Sequence, residues 1–294
     1  MLDANTVLIT IFTRVDDFCK IHQEIKPGPL AKLSDSEIIT INLFCELAGK
    51  RSNCEHIRFV EQWLRDYFPN IIDRSRYHRR LLKLTRLIND VRVEILSNIL
   101  MELSDNRILD STPLPVITFQ RACYTPLFPD AAFGKCAARK MTYYGFKLHL
   151  LIDGQGIPVH FDLTPANVSD VAIAAEILEF NSQEKLVLAD KGYISKEIQE
   201  KLEFQHGIEL LTPSRRNQKI QLPKSESRLL NRIRQRVEVV NNILKDQFGC
   251  EKTYAKTLTG LISKINSKIT ALTLGIFLNK LFNRRLLDIV SIVA

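Results

Sequence analysis

Three stretches of this sequence each place a carboxylate where metal-dependent phosphoryl transfer would need one. Asp110 lies in the motif Ile-Leu-Asp-Ser-Thr and Asp190 in Val-Leu-Ala-Asp-Lys-Gly-Tyr, each at the end of an apolar run. Glu238 lies in a basic helical pattern, and Lys245 follows it seven residues later. Two hard divalent cations require several carboxylate oxygens at one point. If the three acids meet in space, the sequence predicts a two-metal site.

The distribution of basic residues indicates a polyanionic partner. The net charge is +8, from 41 basic and 33 acidic residues. Segment 74–92 contains seven basic residues and one acid, and segment 215–256 contains eleven basic residues and four acids. Nucleic acid is the commonest polyanion that such blocks bind. The alternative is that both blocks are solvated helix faces.

Size and composition are those of a soluble globular protein. The chain has 294 residues, of which 45% are hydrophobic and 25% charged, enough for more than one domain. No apolar run has transmembrane length and the N-terminus lacks a secretory layout, so a cytoplasmic location is predicted. The six cysteines form no Cys-x-x-Cys pair, which favours free thiols over a zinc site or a disulfide framework.

Residues 1–104 are predicted to form an all-helical domain. Ser34 and Glu37 make a capping box at the start of one helix. Further helices are expected around 57–67 and over 75–103, and the last carries many of the basic residues. Short helices ending in a basic one are typical of a helix-turn-helix-like DNA-binding domain. A plain helical bundle is the alternative.

Residues 105–256 are predicted to form a mixed α/β domain. The expected order is strand, β-hairpin, helix, strand, helix, strand and a long helix over 228–248. Asp110 lies in the first strand, Asp190 ends a later strand, and Glu238 lies in the long helix. The first strand of such a sheet is usually central, so a parallel neighbour would end close to Asp110.

The end of the chain, residues 257–294, is predicted to be a helix and a tail. Apolar residues recur at helical spacing over 257–285. An amphipathic helix of this kind packs back on the chain or pairs with a second subunit.

Further motifs occur in a fixed order and extend the pattern of the three acids. They are Tyr-Gly-Phe-Lys-Leu-His at 144–149 and Leu-Thr-Pro-Ala-Asn-Val-Ser-Asp at 163–170. Together these motifs resemble the DDE transposases of bacterial insertion sequences, and the insertion sequence 982 family most closely. The resemblance implies an RNase H-like catalytic core and two Mg²⁺ ions, for which Mn²⁺ substitutes. It also implies that Asp110, Asp190 and Glu238 are the catalytic, metal-binding triad.

The resemblance further implies what the protein acts on. Its substrates would be double-stranded DNA, both the terminal inverted repeats of a transposon and a target. The protein would cleave DNA and join the 3′-hydroxyl ends to the target, as a homodimer in a synaptic complex. Two other functions stay open: a metal-dependent nuclease that cuts without joining, and a catalytically inactive DNA-binding repressor.

The candidate DNA-binding residues carry a positive charge or a ring near the predicted site or the first basic block. They are Lys245, Arg236, Arg234, Arg232, Lys147, His149, Tyr193, Arg79 and Arg80. Glu238 and Lys245 are two regular helical turns apart, so they are expected to share a helix face. Tyr193 either stacks on a splayed base or packs within its turn. Lys147 and His149 share one side of their strand, where they line a DNA channel, unless His149 is a buried structural histidine.

Three polar residues are given local roles only. Asn167 and Asp170 are expected to turn the chain and cap the helix that starts near Ser169. Asp153 is expected to be a hairpin-turn residue.

Overall fold

The computed structural model describes residues 3–22, 31–100, 106–136, 139–180, 186–213 and 235–293. The chain divides into two compact units. The helical unit combines Met1–Leu100 with Ile243–Ala294, and the sheet unit is Met101–Asn242. The predicted division set residues 257–294 apart, whereas the structure places them in one unit with the N-terminal helices.

The helical unit contains six α-helices among the described residues. They are α1 (Ala4–His22), α2 (Asp35–Leu47), α3 (Asn53–Trp63), α4 (Arg74–Lys83), α5 (Thr85–Leu100) and α10 (Leu258–Leu281). A π turn covers Ile243–Gln247 and a 3₁₀ turn covers Cys250–Lys252. All six cysteines of the chain are free thiols, as predicted.

Side-chain caps determine where several of these helices begin. The Ser34–Glu37 capping box is present, since Ser34 Oγ accepts from the Glu37 amide (3.0 Å) and Glu37 accepts from the Ser34 amide (2.6 Å). Ser52 and Glu55 make a second capping box at α3. Each cap satisfies amide groups that the first helical turn leaves without partners.

The single helix predicted over 75–103 is two helices, α4 and α5. The Thr85 hydroxyl donates to the carbonyl oxygens of Leu81 (3.3 Å) and Leu82 (3.0 Å), near the point where α4 ends. A threonine that bonds back to such carbonyls competes with a continuous helical ladder. The apolar spacing alone does not reveal this interruption.

Helix α10 is the core of the helical unit and packs on α5 and α2. It is long and apolar enough to cross a membrane by length and composition, but 89% of its most apolar window is buried inside the protein. It also carries Lys268, whose ammonium lies 2.7 Å from the Glu46 carboxylate, with both side chains almost fully buried. Of the two predicted arrangements, packing of α10 back on the chain is therefore the one observed within this unit.

The sheet unit is built on a six-stranded mixed sheet. Its strands are β1 (Asn106–Ile117), β2 (Ala132–Cys136), β3 (Met141–Asp153), β4 (Pro158–Pro165), β5 (Leu186–Ala189) and β6 (Glu209–Leu211). Its helices are α6 (Phe119–Ala122), α7 (Asp170–Phe180), α8 (Lys196–His206) and α9, residues 235–242. A 3₁₀ turn, Lys191–Tyr193, comes after β5.

The strand order is β2-β3-β1-β5-β6, with β4 also paired to β3. Strand β1 is central, antiparallel to β3 and parallel to β5. The predicted hairpin is β3–β4, and the Asp153 carboxylate closes its turn by accepting from the amides of Gln155 (3.0 Å) and Ile157 (2.7 Å). This architecture confirms the predicted class at the level of a mixed α/β core preceded by helices and followed by a C-terminal helix.

The two faces of the sheet differ in what covers them. Leu109, Val187 and Ala189 lie in one buried cluster with residues of α7 and α8. Side chains alternate between the faces along a strand, so the residues that come after Leu109 and Ala189 project from the opposite face. We call the helix-covered face the inner face, and the opposite one the outer face.

Between β1 and β3 the structure has α6 and β2, two elements that the predicted order does not include. Strand β2 is short and pairs with β3 from Met141 to Gly145. Of the helix predicted over 228–248, residues 228–234 lie outside the described part, 235–242 are α9, and the end is the π turn.

Candidate functional site

The first two candidate acids lie where the parallel β1–β5 ladder ends, Asp110 within β1 and Asp190 just after β5. The parallel ladder runs from Asn106↔Leu186 to Leu109↔Ala189. Asp110 and Asp190 are the next residues after the two members of the last pair, and both are half-buried. Because β1 and β5 are adjacent and parallel, residues at equivalent positions lie side by side, so the structure brings these two acids to neighbouring positions on the outer face.

Helix α9 reaches this pair through Asn241. The Asn241 side-chain amide donates to Oδ2 of Asp110 (2.8 Å). Glu238 lies three residues earlier, and residues three apart share a helix face. Val237 and Val240 are buried on the side that packs, while Arg236 and Glu238 are exposed. The third acid therefore lies on the helix that contacts the first.

The donor chemistry of these residues suits a hard divalent cation, which prefers carboxylate and amide oxygens. Among the residues that the structure describes, no three His, Cys, Asp or Glu side chains are close enough together to hold a metal ion. The fit is therefore one of donor type and of two adjacent carboxylates, with Asn241 in contact with one of them.

On the inner face, directly behind the acids, lies a buried polar network. Both ring nitrogens of His149 are hydrogen-bonded, Nδ1 to Tyr193 Oη at 3.4 Å and Nε2 to Thr164 Oγ1 at 2.8 Å. Ser111 faces His149 across the β1–β3 ladder and hydrogen-bonds to Tyr193. His149 and Tyr193 are 0% and 1% exposed. Burial lowers the pKa of His149 to about 4, so its imidazole is neutral at pH 7.

Tyr193 is surrounded by negative charge as well as by apolar side chains. Its pKa is raised well above the ordinary value, first by burial and then by the nearby carboxylates of Asp170, Asp110 and Asp190. A hydrogen bond from Ser111 acts in the opposite direction. The phenol is therefore protonated, and its hydroxyl can donate.

Lys147 also lies on the inner face, in an ion pair rather than in a channel. Its ammonium donates to the Asp170 carboxylate and to the Val168 carbonyl, both at 2.8 Å. Asp170 is the first residue of α7, and the predicted role of its side chain as a helix cap stays a prediction. Asn167 is exposed in the preceding turn.

Three candidate DNA contacts are thus inaccessible or already engaged. His149 and Tyr193 are buried, which favours the structural interpretation of each, and a base cannot stack on Tyr193 in this conformation. Lys147 is paired with Asp170 on the face opposite Asp110. The residue types suggested DNA contact, but the strand alternation turns these side chains away from the outer face.

The other candidates that are close to Glu238 in sequence fall into two groups. Arg232 and Arg234 lie outside the described residues. Arg236 and Lys245 are exposed. Lys245 lies in the π turn, so the predicted face shared with Glu238 does not follow from regular α-helical spacing, and it stays a prediction.

Arg79 and Arg80 line a groove of about 620 Å³ in the helical unit. The groove is lined by Ala31, Lys32, Ile72, Arg76, Arg79, Arg80, Leu82 and Lys83. Arg79 is exposed, whereas Arg80 donates to the Asp35 carboxylate and the Leu33 carbonyl, both at 2.5 Å. Five cationic side chains line the groove beside three apolar ones, and two of the five are ion-paired, Arg80 with Asp35 and Arg76 with Asp73.

Two residues of the site were not singled out from the sequence, Asn241 and Ser111. Each lies within three residues of a candidate acid, Asn241 after Glu238 and Ser111 after Asp110. Helical spacing could have indicated Asn241, since i and i+3 side chains are neighbours. No sequence signal distinguishes Ser111 from an ordinary strand serine.

Comparison with known proteins gives one family. A family model described as a transposase DDE domain matches residues 102–258, more than half of the chain and all three acids. A chain in the crystal structure of a pre-cleavage Mos1 transpososome is similar, with 11% identity and a TM-score of 0.25 over 85% of this chain and 79% of that chain. No curated protein sequence matches. Because the structural likeness is weak, membership of the family depends on the family model alone.

Proposed function

Because this chain belongs to the family of DDE-domain transposases, we propose that it binds terminal inverted repeats, cleaves DNA and joins the 3′-hydroxyl ends to target DNA. The insertion sequence 982 family is the proposed subfamily. The observation that carries the proposal is the placement of Asp110 and Asp190 directly after the last pair of the parallel β1–β5 ladder, with Asn241 of α9 bonded to Asp110.

Asp110, Asp190 and Glu238 are the residues that would hold the metal ions, Mg²⁺ or Mn²⁺. Two such ions supply an activated attacking oxygen and stabilise the leaving oxygen of a phosphate. Asp110 and Asp190 offer carboxylates from one sheet edge, and Glu238 offers the third from α9. Like charges this close repel one another, so the cluster favours bound cations.

The proposed DNA contacts are cations that the structure leaves accessible. Arg236 is exposed two residues before Glu238, where it would bind a phosphate beside the scissile one. Lys245 and Arg79 are exposed in the helical unit. Each phosphate contact adds to a binding energy that weakens with salt, because counterions are released. A homodimer that holds two ends and a cytoplasmic location complete the proposal.

The test is a cleavage assay with Mg²⁺ or Mn²⁺ on DNA that carries the ends flanking the protein's own gene. We expect the wild-type protein to cut these ends. Glu238→Gln should abolish cleavage and retain end binding in a mobility-shift assay, because it removes a charge and not a DNA contact. The matched control is Glu251→Gln, which makes the same change in the helical unit.

A second assay separates the remaining alternatives. Pre-cut ends are incubated with target DNA, and joined products are counted. A nuclease would cut in the first assay and give no joined product in the second. End binding with no cleavage by the wild-type protein would instead identify a repressor and overturn the proposed activity.

A further inference from the structure

The β1–β5 ladder stops one residue short of the two adjacent acids. Its last pair is Leu109↔Ala189. Asp110 is still held in the sheet, because it pairs with Leu150 of β3. Asp190 is beyond the last paired residue of β5 and begins the 3₁₀ turn Lys191–Tyr193. The separation of the two acids therefore depends on how this turn is held against β1.

Tyr193 connects that turn to β1. Its backbone amide donates to the Asp190 carbonyl (3.0 Å), which closes the turn. Its hydroxyl lies beside Ser111, the residue after Asp110, and 3.4 Å from His149 Nδ1. His149 is in turn held by Thr164 of β4 at 2.8 Å. One side chain thus joins the turn that carries Asp190 to the strand that carries Asp110.

A second contact holds the same turn from the side of α7. A Cβ added at Gly192 would lie 3.1 Å from an Asp170 carboxylate oxygen, so the turn backbone lies close to this side chain. Asp170 is fixed by the 2.8 Å ion pair with Lys147 of β3. These inner-face contacts leave the turn little freedom to shift.

We propose that Tyr193 is a positioning residue, whose hydroxyl bonds to Ser111 and His149 set the distance between the Asp110 and Asp190 carboxylates on the other face of the sheet. The proposal rests on the proposed metal site. The ring alone would serve a packing role, since Tyr193 is also part of the buried cluster of the sheet unit. The hydroxyl is the part that reaches the strand next to Asp110.

Tyr193→Phe separates the two roles, because it keeps the ring and removes the hydroxyl. Partners that orient metal ligands typically contribute 10- to 100-fold to metal affinity. We expect Tyr193→Phe to weaken Mn²⁺ binding by about 10-fold, with end binding close to that of the wild type. Mn²⁺ binding is measured by the loss of the free-ion electron paramagnetic resonance signal, without DNA.

The matched control is Tyr77→Phe. Tyr77 is also fully buried and also bonds to a buried histidine, with its hydroxyl 3.2 Å from His56 Nδ1, but it lies in the helical unit. Tyr77→Phe should lose stability, because it also removes a buried hydrogen bond from tyrosine to histidine, and it should leave Mn²⁺ affinity unchanged. Equal losses of Mn²⁺ affinity in both variants would overturn the proposal, because stability alone would then explain the effect.

Ser111→Ala removes the other end of the bond. If the Tyr193 hydroxyl acts through Ser111, the variant with both Tyr193→Phe and Ser111→Ala should bind Mn²⁺ no more weakly than the single variant of lower affinity. The reason is that both changes break the same link. Fully additive losses would contradict the link. Wild-type affinity in Tyr193→Phe would also overturn it.

Asp110→Asn distinguishes failure of this proposal from failure of the proposed function. If wild type binds Mn²⁺ more tightly than Asp110→Asn, the metal site stands and Tyr193→Phe decides the positioning role. If the two bind equally, the metal site is wrong and the positioning role is rejected with it.

Discussion

Asn241 is the residue through which helix α9 contacts Asp110 of β1. The Asn241 amide carries no charge, but it donates a hydrogen bond to the Asp110 carboxylate, whose neighbours include other acidic residues. Asn241 follows Glu238 by three residues, so the two side chains lie on the same face of α9. It orients the helix that carries the third acid.

Asn241→Asp should destabilise the sheet unit and make it depend on divalent cations. The change replaces a donor by a second carboxylate about where the 2.8 Å bond now lies, so like charges repel. We expect a loss of about 1–3 kcal/mol without metal. Added Mg²⁺ should restore stability more than it does in the wild type, because binding to the folded state stabilises it.

Thermal unfolding with and without Mg²⁺ measures both effects. Asn242→Asp is the control, since it adds the same charge at the neighbouring exposed position. If the two variants respond to Mg²⁺ alike, the Asp110 contact does not govern the site.

Buried histidines make stability depend on pH in a defined direction. Burial lowers the pKa of His56 in the folded state to about 3, below its unfolded value of about 6.5. The unfolded chain therefore takes up a proton first as the pH falls. The stabilisation is complete above about pH 6.5 and is lost as the pH falls from there toward 3.

We expect His56 to contribute a slope of about 1.4 kcal/mol per pH unit within that window. Urea unfolding at pH 7 and pH 5 measures it, followed by the fluorescence of Trp63, the single tryptophan of the chain, which lies in the same unit. His56→Gln should flatten the dependence. An unchanged slope in that variant would assign the effect to other groups.

At the scale of elements, the sheet and most helices follow from the apolar pattern. The hairpin was predictable because alternating apolar runs flank a Gly-rich turn. The capping box was predictable because Ser34 and Glu37 have the residue types and the spacing of that motif. The split between α4 and α5 was not, since the apolar spacing continues through Leu84, where α4 ends. The opposite faces of Asp110 and Lys147 do not follow from residue type, because they depend on the register of β1 against β3.

Gly145 is the element-scale position least tolerant of change. A Cβ there would lie 2.1 Å from the Leu114 carbonyl oxygen of β1. Gly145→Ala should therefore force β1 and β3 apart and cost about 3 kcal/mol or more. Urea unfolding followed by circular dichroism measures the loss.

Gly207→Ala is the comparison, because Gly207 has a positive φ of 65° and open space where the Cβ would be. Its cost should be about 1 kcal/mol, from backbone strain alone. Equal costs at the two positions would show that the strands adjust without loss.

At the scale of the whole molecule, the helical unit is discontinuous in sequence. Its core helix α10 comes from the end of the chain, while α2 and α5, on which it packs, come from the beginning. The sheet unit lies between them in the sequence and has its own ladder and core. The predicted boundaries divided the chain into consecutive segments and so separated α10 from its unit.

We expect fragment 101–242 to fold alone and fragment 1–100 to remain unfolded. The first contains every strand pairing of the sheet, and the second lacks the apolar surface of α10 and the partner of Glu46. Dispersion of amide signals in NMR spectra distinguishes the two outcomes. Joining 1–100 to 243–294 through a flexible Gly-Ser linker should restore folding, and a dispersed spectrum from 1–100 alone would contradict this division.

This discontinuity also sets an order of events during synthesis. The ribosome makes the helices α1 to α5 first and their core helix last, so the apolar faces of α2 and α5 wait uncovered while the sheet unit is made. At about 5–20 residues per second, that wait is on the order of 10 seconds. A nascent chain of this protein therefore completes its sheet unit before its helical unit can close around α10.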